Sequence, residues 1–213
     1  MREDIAALRK EYTQAELDEN SIHTNPFLQF EQWFQEALKS QLNEPNAMSV
    51  ATVNKDGQPF QRTVLLKTFN EDGFVFYTNY TSRKAQQLES NPKISLLFPW
   101  YDLERQVAIT GSVVKVSAKE SLTYFLTRPR GSQLGAWVSN QSEVITSRSI
   151  LEMKLAEMKN KFKEGKIPLP DHWGGYRVIP DSIEFWQGRP NRLHDRILFT
   201  KTTENWKISR LAP

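Results

Sequence analysis

Two short turns that end in Asp-Gly constrain the fold of this chain more than any other feature. Asn54-Lys55-Asp56-Gly57 and Asn70-Glu71-Asp72-Gly73 separate three runs with strand character, at residues 47–53, 60–68 and 74–79. Asp-Gly between such runs is typical of tight hairpins, because glycine readily adopts the positive φ that these turns need. The sequence therefore predicts consecutive antiparallel strands.

The remaining elements do not alternate regularly. We predict further strands at residues 94–100, 106–117, 176–186, 192–201 and 206–211. We predict a helix capped by Asn25 with Pro26 at its first position, a helix at 83–90 capped by Ser82, and one at 132–137 that Ser132 caps. Further helices are predicted at 119–126 and 149–164. A Rossmann or TIM fold is excluded because no βαβ repeat is present. We expect a mainly β fold with peripheral helices (α+β), as a closed or partly closed barrel.

The domain organisation follows from the same pattern. Residues 1–24 are polar, with Ile5, Leu8 and Tyr12 at helical spacing, and predict a short, loosely held helix in a mobile N-terminal segment. Residues 25–213 contain no internal repeat or linker and predict a single domain.

Composition excludes several classes of function. The chain has no cysteine, which excludes disulfides and thiolate chemistry, and its three histidines are far apart, which argues against a metal site. A net charge of +3 suggests local anion sites better than a nucleic-acid surface. No apolar run is long enough for a membrane span, so we expect a cytoplasmic protein. The motifs of P-loops, dinucleotide folds and nucleophile elbows are absent.

The segment from Trp186 to Arg196 carries the most concentrated chemistry. If a strand begins near Arg192, then Arg192, His194 and Arg196 share one face, and Leu193 lies on the other. A row of cationic groups is stable beside an anion or a polarisable ring. The alternative is a solvated edge strand whose charges discourage aggregation.

Three further clusters are candidate anion sites. Arg83 and Lys84 occupy the first turn of a helix, where a bound phosphate would accept free backbone N–H groups. Arg128 and Ser132 flank a Pro-Arg-Gly turn, and Tyr124 lies on the same side of the preceding helix as Arg128. Arg62 and Lys67 fall on opposite faces of a predicted strand, so that they serve different ligands unless a bulge brings them together. In each case a solvated basic surface is the alternative.

Taken together, these stretches resemble the pyridoxine/pyridoxamine 5′-phosphate oxidase family nearly end to end. The resemblance is carried by Arg9-Lys10-Glu11-Tyr12, RTVLLK from Arg62, YTNYTSRK from Tyr77, YFLTRPRGSQLGAWVSNQS from Tyr124, WQGRPNRLHDR from Trp186, and Arg210-Leu211-Ala212-Pro213. It implies an FMN-binding split β-barrel of antiparallel Greek-key type, which acts as a homodimer with FMN at the subunit interface. The implied reaction oxidises pyridoxine 5′-phosphate or pyridoxamine 5′-phosphate to pyridoxal 5′-phosphate and reduces O2 to H2O2.

The resemblance also implies a role for individual residues. FMN contacts are expected from Arg62, Thr63, Val64, Leu65, Leu66, Lys67, Tyr77, Thr78, Arg83, Lys84, Gln106, Gln141, Ser142, Trp186 and Arg196. Substrate contacts are expected from Arg9, Tyr12, Lys67, Tyr124, Arg128, Ser132, Arg192, Leu193 and His194, with Arg192 and His194 as the catalytic pair. No protein nucleophile or metal is required, because the flavin performs the redox step.

Two other functions remain as alternatives at this point. One is a split-barrel flavin oxidoreductase with a different substrate, against which the cluster from Tyr124 to Ser132 argues. The other is a basic β-barrel that stacks single-stranded nucleic acid on its aromatic residues. The modest net charge and the concentrated basic clusters argue against this second function.

Overall fold

The computed structural model describes residues 5–8 and 10–213. Within these residues lie five helices and nine strands. The helices are α1 (Pro26–Lys39), α2 (Arg83–Ser90), α3 (Ala118–Thr127), α4 (Arg130–Val138) and α5 (Ser149–Lys161). The strands are β1 (Ala47–Val53), β2 (Pro59–Leu65), β3 (Thr68–Asn70), β4 (Gly73–Asn79), β5 (Lys93–Trp100), β6 (Arg105–Lys115), β7 (Trp173–Gln187), β8 (Asp195–Lys201) and β9 (Trp206–Arg210). The mainly β architecture predicted from the sequence is confirmed.

Hydrogen bonding orders seven strands as β2-β1-β5-β6-β7-β4-β3, and β8 and β9 follow from β7. The β3–β4, β4–β7, β7–β8 and β8–β9 pairs are antiparallel. The turn at Asn70 joins β3 directly to β4, as its Asp-Gly pair predicted. Among the helices of the described residues, none is both long and apolar enough to cross a membrane.

Helix boundaries follow the capping residues read from the sequence. Asn25 accepts a hydrogen bond from the N–H of Phe27, and Ser82 accepts one from Ala85. One cap was wrongly predicted: α4 begins at Arg130, with Pro129 as its cap residue, so Ser132 lies inside the first turn. The N–H of Ser132 donates to the carbonyl of Pro129 over 2.8 Å, because the fixed φ of proline already sets the start of the helix.

Two other predictions are corrected by the backbone. The strand predicted from Arg192 begins instead at Asp195, because Asn191 and Arg192 have φ values of +57° and +63°, which an extended strand does not allow. The face shared by Arg192, His194 and Arg196 therefore does not exist. The predicted N-terminal helix is a single 3₁₀ turn at Ile5–Ala7.

The described residues divide into two compact units. The first unit comprises residues up to Ser49, Ser95–Gly111 and Pro180–Pro213, and the second comprises Val50–Ile94 and Ser112–Ile179. In the first unit the apolar face of α1 is buried: Phe30 packs edge-on against Phe98 with 5.0 Å between ring centroids, and Trp33 packs against Phe185 at 5.3 Å. These aromatic contacts fix α1 on its own unit.

The core of the second unit lies beneath α3, α4 and α5. Phe125, Leu134, Ala136, Ile167 and Trp173 are buried there, and side chains of α5 pack around them. The strand β4 is buried along nearly its whole length, which is typical of a strand covered on both faces. This core holds the polar residues described next.

Candidate functional site

A cavity of about 770 Å³ opens within the second unit. It brings together residues predicted from four separate stretches of sequence. Those that line it are Thr63, Val64, Leu65, Lys67, Tyr77, Thr78, Lys84, Tyr124, Arg128, Ser132 and Gln141. Residues assigned by the resemblance to cofactor and to substrate thus share the walls of one space.

A second cavity of about 440 Å³ lies in the same unit and shares Thr63, Lys84 and Gln141 with the first. It adds Arg62, Arg83 and Ser142, which were also predicted. The five cations that line the two cavities form no ion pair with any residue the structure describes, and none of the residues found lining them is acidic. Such a surface is suited to bind anions.

Lys84 lies at the junction of the two cavities. It is 7% exposed, and its Nζ donates to Thr78 Oγ1 over 2.9 Å and to Gln141 Oε1 over 2.7 Å. Burial, assisted by the nearby charge of Arg62, lowers the pKa of Lys84 to about 8. Both acceptors are neutral, so the ammonium charge has no counterion among these partners.

Arg62 and Arg83 surround the second cavity. The Nη1 of Arg62 donates to Thr52 Oγ1 over 2.6 Å and to the carbonyl of Val50 over 3.1 Å, which fixes the guanidinium. Burial, and then the charge of Arg83, lowers the pKa of Arg62. Arg83 opens α2, and its backbone N–H donates to Ser142 Oγ over 3.3 Å. The Arg83 guanidinium carbon lies 5.5 Å from the centroid of the Phe60 ring, so both of these arginines, whose charges repel one another, contact neutral groups.

Arg128 has a buried hydrogen-bond donor that an anionic ligand could satisfy. Its Nη1 is buried without a hydrogen-bond partner among the described residues. The guanidinium carbon lies 4.6 Å from the ring centroid of Trp173, a cation–π contact that fixes its plane. Burial also lowers the pKa of Arg128. A buried donor without a partner is costly, and a ligand oxygen would satisfy it.

Stacked rings support this part of the cavity. Tyr77 stacks on Tyr124 with 4.0 Å between centroids and on Trp173 with 5.4 Å. Burial raises the pKa of Tyr77 to about 12, so its hydroxyl stays protonated. A Cβ at Gly175 would lie 2.8 Å from the Tyr77 ring, so the stack requires glycine there. Sequence reasoning missed Trp173, although the Trp-Gly-Gly triplet was a usable signal.

A different arrangement surrounds His194 in the first unit. The His194 ring lies 4.6 Å from Trp186 and 5.7 Å from Tyr12, between centroids. Its Nδ1 accepts the backbone N–H of Arg189 over 3.1 Å, so the neutral ring carries its proton on Nε2. Burial, and then the charge of Arg192, lowers the pKa of His194, with Asp195 opposing.

The other predicted residues of the first unit are placed as follows. Arg192 and Leu193 are exposed, and Gln106 is half-buried in β6. Arg196 donates from Nε to Glu184 over 2.7 Å and from Nη1 to the carbonyl of Ala212, and the bond to Glu184 raises its pKa. In the second unit Leu66 is buried and lines neither cavity. Arg9 lies outside the described residues.

Two carboxylates that sequence reasoning missed hold the N-terminal segment. Glu104 accepts the backbone N–H groups of Thr13 and Gln14, and Asp195 accepts that of Leu17. Each partner lies at least 90 residues away along the chain. No local pattern could have identified them, because the pairing exists only in the folded chain.

Comparison with solved structures identifies the fold. PhzG from Burkholderia lata, solved in complex with tetrahydrophenazine-1-carboxylic acid, is 26% identical and aligns with a TM-score of 0.87 over 93% of this chain and 98% of its own. A pyridoxamine 5′-phosphate oxidase-related, FMN binding protein from Nostoc punctiforme aligns with a TM-score of 0.71 at 16% identity, over 90% of this chain and 100% of its own. The predicted split barrel is confirmed.

Comparison of sequences identifies the family. A family model described as pyridoxamine 5′-phosphate oxidase matches residues 34–162, and one described as pyridoxine 5′-phosphate oxidase C-terminal dimerisation region matches residues 173–213. Pyridoxine/pyridoxamine 5′-phosphate oxidases of Crocosphaera subtropica and Rippkaea orientalis are 61% and 59% identical, over 99% of this chain and 100% of theirs. The chain therefore belongs to the pyridoxine/pyridoxamine 5′-phosphate oxidase family.

Proposed function

We propose that this chain catalyses the FMN-dependent oxidation of pyridoxine 5′-phosphate or pyridoxamine 5′-phosphate to pyridoxal 5′-phosphate. Oxygen is the electron acceptor and yields H2O2, and the amine substrate also consumes one water molecule and releases ammonia. Membership of the family supports the reaction. The observation that carries it is the cavity system whose cations lack counterions, with a buried Arg128 donor that is unsatisfied within the described residues.

The donor set of the second cavity fits the phosphate of FMN. Arg62, Arg83 and Lys84 supply positive charge, while Gln141 and Ser142 supply neutral hydrogen-bonding groups. A phosphate monoester carries a charge near −2 at neutral pH, so two or three cations match it. We assign Thr63 through Lys67, with Tyr77 and Thr78, to the remainder of the cofactor. The bound flavin supplies the redox chemistry by accepting a hydride from the 4′ carbon of the substrate.

The substrate phosphate is assigned to the opposite wall of the larger cavity. Arg128 lines this cavity and has an unsatisfied Nη1, and Lys67, Tyr124 and Ser132 line the same space. Two dianions require two separate basic clusters, and the chain provides both within one unit. The chain's own task is to bind and orient the two molecules, which can contribute about 7–11 kcal/mol to lowering the barrier.

The residues around His194 are assigned to the substrate ring. His194 presents an Nε2–H donor, because its Nδ1 already accepts the N–H of Arg189. We propose that Arg192 and His194 orient the ring and stabilise developing charge, and that Leu193 contacts the substrate. Arg9 and Tyr12 belong to a covering N-terminal segment, residues 1–24. Gln106, Trp186 and Arg196 complete the proposed FMN contacts.

The assembly is proposed to be a homodimer with FMN at the subunit interface. The match of residues 173–213 to a C-terminal dimerisation region supports this. That stretch includes β7, β8 and β9, together with Trp186, His194 and Arg196. One chain has a mass of 24.8 kDa. We expect light scattering of the purified protein to give twice this mass.

One experiment tests the proposed reaction. The purified protein is expected to be yellow, and oxygen uptake should begin on addition of either phosphorylated vitamer, with pyridoxal 5′-phosphate as the product. An FMN-loaded protein that consumes no oxygen with either vitamer would contradict the substrate assignment. In that event the protein would be a split-barrel flavin oxidoreductase with a different substrate.

A further inference from the structure

We propose that Glu104 is a positioning residue, which holds the segment Lys10–Gln14 so that the ring of Tyr12 packs against His194. The inference rests on the proposed function, because it assigns Tyr12 and His194 to the substrate site. It concerns a residue that lies outside the predicted site and contacts neither proposed ligand.

The side chain of Glu104 binds the segment on both sides of Tyr12. Its Oε2 accepts the backbone N–H of Thr13 over 2.7 Å and that of Gln14 over 3.1 Å, and its Oε1 lies 3.3 Å from Lys10 Nζ. The carboxylate is 1% exposed. Burial alone would raise its pKa, but these N–H groups and the Lys10 ammonium hold the pKa below its ordinary value. The group is therefore an anion at neutral pH.

The main chain of Glu104 binds the end of β7. Its carbonyl accepts the N–H of Gly188 over 2.7 Å and the Nε2 of Gln187 over 3.2 Å. Its φ of +54° lies in the left-handed region that non-glycine residues seldom occupy. In this conformation the carbonyl of Glu104 binds one segment while its carboxylate binds another. Glu104 thus connects the N-terminal segment to the strand end beside His194.

Tyr12 belongs to the N-terminal segment, and its ring packs against aromatic residues of the second segment that Glu104 binds. Its ring centroid is 5.8 Å from that of Trp186 and 5.7 Å from that of His194. A Cβ at Gly188 would lie 2.6 Å from Tyr12, so the backbone of β7 approaches this ring as closely as glycine allows. With Lys10, Thr13 and Gln14 bound to one carboxylate, the backbone that carries Tyr12 cannot move away from His194 without breaking these part-buried hydrogen bonds.

The remainder of the segment is held independently. Arg210 Nη2 donates to the carbonyl of Leu17, and Arg189 Nη1 donates to that of Ala15. Loss of the Glu104 carboxylate should therefore release residues 10–14 and leave residues 15–19 in place. The expected defect is local, and neither FMN binding nor folding should be lost with it.

The test compares Glu104→Ala and Glu104→Gln with Glu16→Gln. Glu16 is the matched control, because it lies in the same segment and forms an exposed ion pair with Arg189, which is worth little. We expect Glu104→Ala to retain FMN and lower kcat/KM about tenfold, a change typical of losing hydrogen bonds to a charged group. Glu104→Gln keeps an acceptor oxygen and loses the ion pair with Lys10, so its effect should be intermediate. Glu16→Gln should match the parent protein.

Two further measurements separate positioning from a general loss of structure. Tryptic cleavage after Lys10 should accelerate in Glu104→Ala and stay unchanged in Glu16→Gln, whatever the catalytic activity. In a Tyr12→Ala background, Glu104→Ala should cause no additional loss of kcat/KM. Additive losses, or unchanged cleavage at Lys10, would overturn the inference. An inactive parent protein with the expected cleavage pattern would instead contradict the proposed reaction and leave the attachment by Glu104 supported.

Discussion

The cations that line the cavities of the second unit and three arginines of the first unit have different kinds of partner. Those that line the cavities of the second unit, such as Lys84 and Arg128, contact neutral groups and aromatic rings. In the first unit, Arg189, Arg196 and Arg210 each pair with a carboxylate. Sequence alone presents both sets as basic clusters. Only the partners distinguish a guanidinium whose charge is free to bind a phosphate from one whose charge is already balanced by a carboxylate.

This difference teaches where anion binding originates. A buried cation without a counterion has a lowered pKa, as Lys84 and Arg62 show, whereas the bond from Arg196 to Glu184 raises its pKa. A ligand phosphate would supply the counterion that Lys84 and Arg62 lack. At Arg196 the same phosphate would have to compete with the carboxylate of Glu184. We therefore expect phosphate affinity to depend mainly on the second unit and turnover on His194 in the first.

The largest effect is expected for Lys84→Met. It removes the buried ammonium at the junction of the cavities and should weaken FMN binding about a hundredfold, as expected for losing hydrogen bonds from a charged group. Fluorescence titration of the apoprotein with FMN measures this directly. The exposed Lys115, in the same unit, contacts the Tyr80 ring, and Lys115→Met should leave the affinity unchanged. Equal losses in both variants would contradict the assignment of Lys84.

Arg128→Gln sharpens the comparison within the second unit. Loss of the unsatisfied guanidinium should raise the KM for pyridoxine 5′-phosphate about thirtyfold, with a smaller change in kcat and none in FMN content. Arg130→Gln is the matched control, because Arg130 lies two residues away and donates to the carbonyls of Gly165 and Phe162. Steady-state kinetics should show the KM effect in the first variant alone. An unchanged KM in Arg128→Gln would contradict the assignment of Arg128 to the substrate phosphate.

His194→Ala tests the first unit. Without the Nε2–H donor, kcat should fall about tenfold, the order expected for the loss of one hydrogen bond to the substrate, while the flavin absorbance per chain stays constant. His23 is exposed and is not among the proposed site residues, so His23→Ala should turn over like the parent protein. Full activity in His194→Ala would break the division of roles between the two units.

The smallest effect expected is on the pH dependence of FMN affinity. Lys84 has a pKa of about 8, so it is charged below that pH and must take up a proton to pair with phosphate above it. The phosphate of FMN remains a dianion throughout this range. Affinity should therefore fall about twofold between pH 7 and pH 8 and about fivefold between pH 8 and pH 9. The same titration in Lys84→Met should be flat, and a parallel fall in both proteins would assign the proton elsewhere.

Elements governed by local chemistry were predictable from the sequence. The Asn25 and Ser82 caps and the bounds of β1 and α2 agree with their predictions, because each depends on a few neighbouring residues. The start of a strand was not predictable where it depends on the φ of a single residue. Arg192 was wrongly placed in a strand, since its sequence pattern does not reveal a φ of +63°.

The candidate site was also predictable only in part. The residues of the two cavities were named from their motifs, but their convergence in one unit was observed only in the structure. Trp173 and Glu104 were missed, because one acts through a ring stacked on Arg128 and the other through backbone N–H groups 90 residues distant. Such roles are defined by neighbours in space.

The sequence by itself determined which groups are available: turns that impose antiparallel strands, basic clusters suited to bind phosphate, and a histidine shortly after Trp186. The tertiary structure decided which of the charged groups are satisfied. It buries Lys84 among neutral acceptors, leaves a donor of Arg128 without a partner in the described chain, and pairs Arg196 with Glu184. The physical reason is that the free energy of a charge depends on its desolvation and its nearest partners, which are set by contacts between distant segments.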